Sequence, residues 1–249
     1  REELLGAEHP KVGLAMSNLG NLYRQMRDYP KAIEFYGKAI EIREKALGYD
    51  HVEVSNSLNG LAIVYEAMGD LDKALPLYER SLAIREKALG EDHPRVATSL
   101  NNLATLLWMK KDYAKARIYN SRAREIQEKV LGPDHPDLAH TLNTCANLQL
   151  AAGNLEMTRQ IHLRALGIRE KNLRHDHPRI IESYYNLACV SAKMGDRAGA
   201  LKYLKESIDR GFAYDAIFDD TDLETLHGDP EFEVLCDQVR RRLSTTGDR

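Results

Sequence analysis

Five histidines stand at constant spacing in this chain of 249 residues: His9, His51, His93, His135 and His177 recur every 42 residues. Imidazole is a common zinc ligand and a general base near neutral pH, so the pattern first raises metal and acid–base chemistry. A zinc ion needs its ligands within about 2 Å, whereas one histidine per repeat strings them along a rod. The histidines are therefore assigned to helix starts and loop packing. His175, Asp176 and His177 make the one local cluster, a weak one, and no metal site is expected. Asp219, Asp220, Asp222 and Glu224 open like a calcium loop, which requires glycine at its sixth position and a carboxylate at its twelfth. Counted from Asp220, these are Thr225 and Glu231. The glycine is wrong, so the run reads as a solvated acidic turn or as a patch for an electrostatic partner. No G-x-x-x-x-G-K-[ST] phosphate loop and no G-x-S-x-G elbow is present. Cys145, Cys189 and Cys236 lack metal or redox spacing, and Cys145 falls at a core position where reactivity is suppressed. No catalytic residue and no cofactor is assigned, and the chain is expected not to be an enzyme.

The remaining chemistry is recognition. Within each repeat, the side of the first helix opposite its core positions can be read off at helical spacing. It runs Ser17, Asn21, Arg24; Asn59, Ile63, Glu66; Asn101, Thr105, Trp108; Asn143, Asn147, Leu150; and Tyr185, Cys189, Ala192. Asparagine is a mediocre helix-interior residue because its amide competes for backbone hydrogen bonds. Asn59, Asn101 and Asn143 therefore serve either a ladder of hydrogen bonds between repeats or a grip on the backbone of an extended peptide, and both uses need the same donor and acceptor. Trp108, the single tryptophan, stands beside Met109. It is either an aromatic anchor for a partner or packing between repeats.

The elements that position these residues follow from the repeat itself. A Leu-Gly-x-Asp-His-Pro phrase returns as Leu5-Gly6 with His9-Pro10, Leu47-Gly48 with Asp50-His51, Leu89-Gly90 with Asp92-His93-Pro94, Leu131-Gly132 with Asp134-His135-Pro136, and Leu173 with Asp176-His177-Pro178. Between successive phrases the apolar residues have helical period twice, as Leu58, Leu61, Ala62 and Tyr65 and then Ala74, Tyr78 and Ser81. Each repeat is two helices. Gly20, Ala62, Ala104, Ala146 and Ala188 mark where two helices approach closely, and Asp28, Asp70, Asp112, Asn154 and Asp196 are N-caps of the second helix. Gly48, Gly90 and Gly132 end long second helices, and the prolines fall in the first turn of the next helix.

This pattern resembles the tetratricopeptide repeat (TPR), and its Ile-Arg-Glu-Lys-Ala-Leu-Gly phrases at Ile42–Gly48 and Ile84–Gly90 resemble the kinesin light chain class with its 42-residue period. HEAT and armadillo repeats share the period but lack this Gly/Ala and Tyr placement. The resemblance implies an all-α fold, an α-solenoid built as a right-handed superhelix of helix-turn-helix TPR units. It places this first-helix face in a concave groove that binds a peptide or partner protein, so Asn21, Arg24, Asn59, Asn101, Thr105, Trp108, Asn143, Asn147 and Tyr185 become the partner-binding residues. Kinesin light chains take acidic, tryptophan-containing cargo peptides in such a groove; here Arg24 is the one basic residue among the groove positions. Two other roles remain open, a cargo adaptor of that type and the regulatory or sensor segment of a larger signalling enzyme, a kinase or caspase-like peptidase.

The expected divisions are the tail of a preceding repeat at 1–8, repeats at 9–50, 51–92, 93–134, 135–176 and 177–214, and an acidic segment with a C-terminal capping helix at 215–249. Phe232, Leu235, Val239 and Leu243 are expected to face the array from that helix. An uncapped first repeat would allow end-to-end self-association. With 35 Lys and Arg against 38 Asp and Glu, the net charge of −3 gives no pull toward nucleic acid. No stretch reaches the roughly 18 apolar residues of a membrane helix. The odd, unspaced cysteines fit a reducing, cytoplasmic compartment.

Overall fold

The computed structural model describes Gly6 and residues 8–246, so most of the expected tail at 1–8 lies outside the described residues. The fold is all-α, with no strand among the described residues. It divides into two compact units, Arg1–Gly132 and Pro133–Arg249. The first unit pairs α1 (Pro10–Gln25) with α2 (Tyr29–Leu47), α3 (Val52–Ala67) with α4 (Leu71–Leu89), and α5 (Pro94–Met109) with α6 (Tyr113–Val130). The second pairs α7 (Pro136–Ala151) with α8 (Leu155–Asn172) and α9 (Pro178–Lys193) with α10 (Arg197–Asp209). Two short 3-10 helices, Asp215–Phe218 and Thr221–Leu226, follow, and α11 (Pro230–Thr246) ends the unit.

The histidine column starts the first helix of every pair. In His9, His51, His93, His135 and His177 the unprotonated Nδ1 accepts the backbone N–H two residues on, at 3.0 to 3.2 Å. Each imidazole so satisfies one of the amides that an α-helix start leaves without a partner. Asp28, Asp70, Asp112 and Asp196 do the same for the second helices. Asn154 departs from the expected capping: its side chain makes no cap bond and donates instead to Gln149 Oε1 at 2.8 Å. The preceding position needs a left-handed backbone. Gly69, Gly153 and Gly195 supply it freely, whereas Arg27 and Lys111 adopt it at φ 58° and 63°.

Packing within the first unit turns on close helix approach. Tyr36 is 1% exposed, and its ring lies against both Gly20 of α1 and Gly60 of α3. Ala62 and Ala104 are fully buried at the position of Gly20 in the next two pairs. Leu22 of α1 is 49% exposed, whereas Val64 and Leu106, at the same repeat position, are fully buried.

The Arg-Glu-Lys phrase proves to be a set of ties. Arg43 and Arg85 are buried, and each donates to a serine and a backbone carbonyl of the following helix: Ser57 Oγ (2.6 Å) and Glu53 O (3.0 Å), then Ser99 Oγ (2.7 Å) and Arg95 O (3.2 Å). In the second unit Arg169 repeats this with Ser183 Oγ (2.6 Å) and Arg179 O (2.9 Å). A guanidinium suits the task because its donors are fixed in a fork, so one buried group can satisfy several acceptors. Lysines at the phrase's third position pair with the aspartates of the Asp-His loops, as Lys87–Asp50, Lys171–Asp134 and, where Gln127 replaces the arginine, Lys129–Asp92. Lys45 pairs instead with Glu8 and Glu41.

In the second unit Phe232, Leu235 and Val239 of α11 are buried in one apolar cluster with Leu204 and Ile208 of α10, and Leu243 packs against it. Asp229 starts this helix by accepting from Glu231 N at 2.9 Å.

Candidate partner-binding face

On the first unit the face read from α1, α3 and α5 is mostly polar and ranges from exposed Asn21 to buried Ser17 and Asn101. Asn21 is exposed and accepts the Tyr36 hydroxyl at 2.7 Å. Arg24 is half-buried; burial raises the Tyr36 pKa, and nearby Arg24 works against that rise. Asn59 is half-buried, and its Oδ1 accepts from Asn102 Nδ2 at 2.9 Å, an amide pair joining α3 to α5. Glu66, also half-buried, accepts the Tyr78 hydroxyl at 2.8 Å.

Three positions on α5 differ in what they offer a partner. Asn101 is 1% exposed, and its Oδ1 accepts from the equally buried Asn120 of α6 at 3.3 Å. It is interior, because Asn120 stands opposite it on α6 at the position that Tyr36 and Tyr78 fill in the first two pairs. Thr105 is half-buried and returns its hydroxyl to Asn101 O at 3.0 Å. Trp108 is half-buried, with its indole Nε1 buried and without a hydrogen-bond partner.

On the second unit, Asn143 Oδ1 accepts from Asn186 Nδ2 at 3.3 Å, joining α7 to α9 as Asn59 and Asn102 join α3 to α5. Asn147 is half-buried one turn on. Tyr185 is already engaged: its hydroxyl donates to Asp220 Oδ2 at 2.6 Å and its ring stacks on Phe212 at 4.6 Å. Asp220 also receives the Cys189 thiol at 3.8 Å, Thr225 Oγ1 donates to Ala192 O at 3.3 Å, and Asp222 pairs with Lys193 at 2.7 Å. The acidic segment therefore lies along the Tyr185, Cys189, Ala192 face of α9. Burial, with Asp220 and Asp222 adding their charge, pushes the Cys189 thiol well above its ordinary value. Among the described residues no group of His, Cys, Asp and Glu could hold a metal ion, and no helix is long and apolar enough to cross a membrane.

The family model described as tetratricopeptide repeat matches residues 1–45, 11–87, 53–129, 109–171 and 146–210. The chain belongs to the tetratricopeptide repeat family. Its TPR helix pairs are similar to solved structures that include kinesin light chain-like proteins. TPR-like repeats of a kinesin light chain-type protein from Podosopora anserina are 26% identical at a TM-score of 0.65, over 81% of this chain and 96% of that one. BtubC (BKLC) from P. vanneervenii is 24% identical at a TM-score of 0.67, over 78% of each chain. The apo form of RapI shares the fold at 16% identity and a TM-score of 0.70, over 94% of this chain and 84% of that one. Among curated proteins none matches.

Two features of this TPR face escape a reading by helical spacing. Asn102 and Asn186 stand one residue beside the Asn101 and Tyr185 line yet complete the amide pairs, and their common repeat position is the signal that marks them. The occupant of the α9 face was foreshadowed by a run from Asp215 to Asp237 that holds acids and no Lys or Arg, set against Lys193.

Proposed function

We propose that the chain is a non-enzymatic interaction scaffold that binds an extended peptide, or an extended segment of a partner protein, along the first-helix face of its TPR pairs. The amide pairs carry this reading. Asn59–Asn102 and Asn143–Asn186 each commit one donor and one acceptor, which orients both side chains and leaves further amide capacity uncommitted among the described residues. An amide with a donor and an acceptor at fixed positions matches the backbone of an extended peptide. For Asn59 and Asn143 the two uses are compatible, since the same bond that ties two helices pre-orients the groups offered to a ligand. Buried Asn101, bonded to Asn120 within its own pair, serves neither.

Selection of random short peptides by the wild-type chain tests this, beside an Asn59→Ala, Asn143→Ala variant whose helical content is checked by circular dichroism. Selected peptides should bind the folded variant at least tenfold more weakly, about the worth of one or two hydrogen bonds. Equal binding by both proteins would place recognition elsewhere. The likeness to kinesin light chain-type repeats favours a cargo adaptor as the more specific form of this reading.

A further inference from the structure

Arg24, Glu66 and Trp108 occupy one repeat position on α1, α3 and α5, 42 residues apart. Two contacts between neighbouring pairs bracket the level of Glu66 and Trp108. On one side Asn102 of α5 bonds Asn59 of α3, and on the other Lys110, just past α5, pairs with Asp72 at the start of α4. Glu66 and Trp108 therefore stand at one level on the neighbouring first helices α3 and α5, between a contact that joins α3 to α5 and one that joins the end of α5 to the start of α4.

Each has something left over. The Glu66 carboxylate has one oxygen, Oε2, on the Tyr78 hydroxyl. Burial raises its pKa and the Tyr78 bond works against that rise. Among the described residues no Lys or Arg forms an ion pair with it, although the charge of Arg24 reaches the Tyr78 hydroxyl. A half-buried carboxylate without a cation is unfavourable and gains from acquiring one. Trp108 has its N–H buried, so what solvent reaches on this half-buried residue is ring carbon, and an indole face attracts cations. At the same level on α1, Arg24 acts on the hydroxyls of both Tyr36 and Tyr78, so its charge lies on the α1 side of the Glu66 carboxylate and leaves the α5 side to the ligand.

We propose that Glu66 and Trp108 together form the subsite for a lysine or arginine side chain of the bound peptide, the cation lying between the free carboxylate oxygen and the indole face. This rests on the groove reading above and gives its ligand a charge. The preferred partner carries a basic residue at the position that crosses from α3 to α5.

The test is the same random-peptide selection, run on wild type, Glu66→Gln, Glu66→Lys and Trp108→Leu. Glu66→Gln keeps an acceptor for Tyr78 and the side-chain volume, so it should fold. Wild type should select peptides with Lys or Arg fixed at one position, and one such peptide should bind Glu66→Gln about tenfold more weakly. Glu66→Lys should select an acidic residue there, and Trp108→Leu should reduce the basic preference without reversing it. Selected peptides with no basic position, or a basic position unchanged by Glu66→Gln, would overturn the subsite. The groove would then still stand if the asparagine variant loses those peptides. Selection of no peptide at all would overturn both.

Discussion

The ring of Tyr36 lies so close to Gly60 that a Cβ at Gly60 would stand 2.6 Å from Tyr36 Cζ. Tyr36 belongs to the first pair and Gly60 to the second, so one aromatic ring sets how closely the two pairs approach. Gly60→Ala should therefore destabilise the first unit by about 1–3 kcal/mol, the usual cost of overpacking a tight core. Urea unfolding measures this. Tyr36→Phe, which keeps the ring but loses the 2.7 Å bond to Asn21, should cost only about 1 kcal/mol. A neutral Gly60→Ala would mean that the ring moves freely and does not set the spacing.

The histidine column predicts a different kind of loss. His93 Nδ1 accepts from Arg95 N at 3.0 Å and so caps α5. His93→Ala removes that acceptor and should cost about 1 kcal/mol, whereas His93→Asn, a good N-cap, should restore most of it. If Asn behaved like Ala, the imidazole ring would matter for its packing rather than for its nitrogen.

These two cases show where the sequence was sufficient. Helix starts, turns and close contacts repeat because each pair solves the same local problem, and five copies expose the solution. The face that meets a partner is different, because its positions vary between pairs and depend on what lies beside them. Asn101 and Asn59 share a repeat position, yet Asn101 is buried while Asn59 is half-exposed. Opposite Asn101, the second helix carries Asn120 at the position that Tyr36 and Tyr78 fill in the first two pairs. Spacing along one helix cannot reveal what the next helix presents. Tyr185 makes the same point, since its face is covered by a segment some 35 residues away in sequence.

His162 stands at that same position in the fourth pair, buried to 3% exposure. Burial, and then the charge of Arg169, pull its pKa from 6.5 down to about 4. Below pH 6.5 the unfolded chain binds a proton that the folded chain refuses until about pH 4, so stability falls as pH drops through that interval. At pH 5 the loss from this residue should be about 2 kcal/mol relative to pH 7.5. His162→Leu should remove that share, so the wild type should lose more stability than the variant between the two pH values. Equal losses in urea titrations would show that the imidazole protonates in place without penalty.

Asp220 ties the acidic segment to α9 through Tyr185, and its Oδ1 also caps the 3-10 helix that follows by accepting from Asp222 N at 2.9 Å. Buried Ile217, Leu223 and Leu226 hold the same segment by apolar contact. Asp220→Ala removes its own polar ties and leaves the Thr225–Ala192 and Lys193–Asp222 contacts and the apolar ones, so the segment should loosen without the unit unfolding. Amide exchange across residues 213–228 should quicken by about tenfold or more, as expected for one or two lost hydrogen bonds to a charged group, while α7 and α8 keep their protection. Tyr185→Phe, which leaves the cap and the stacking on Phe212 intact, should quicken exchange less. If exchange in α7 and α8 rose as much as in the segment, the acidic run would be part of the cooperative core of the second unit rather than a separately held cover on α9.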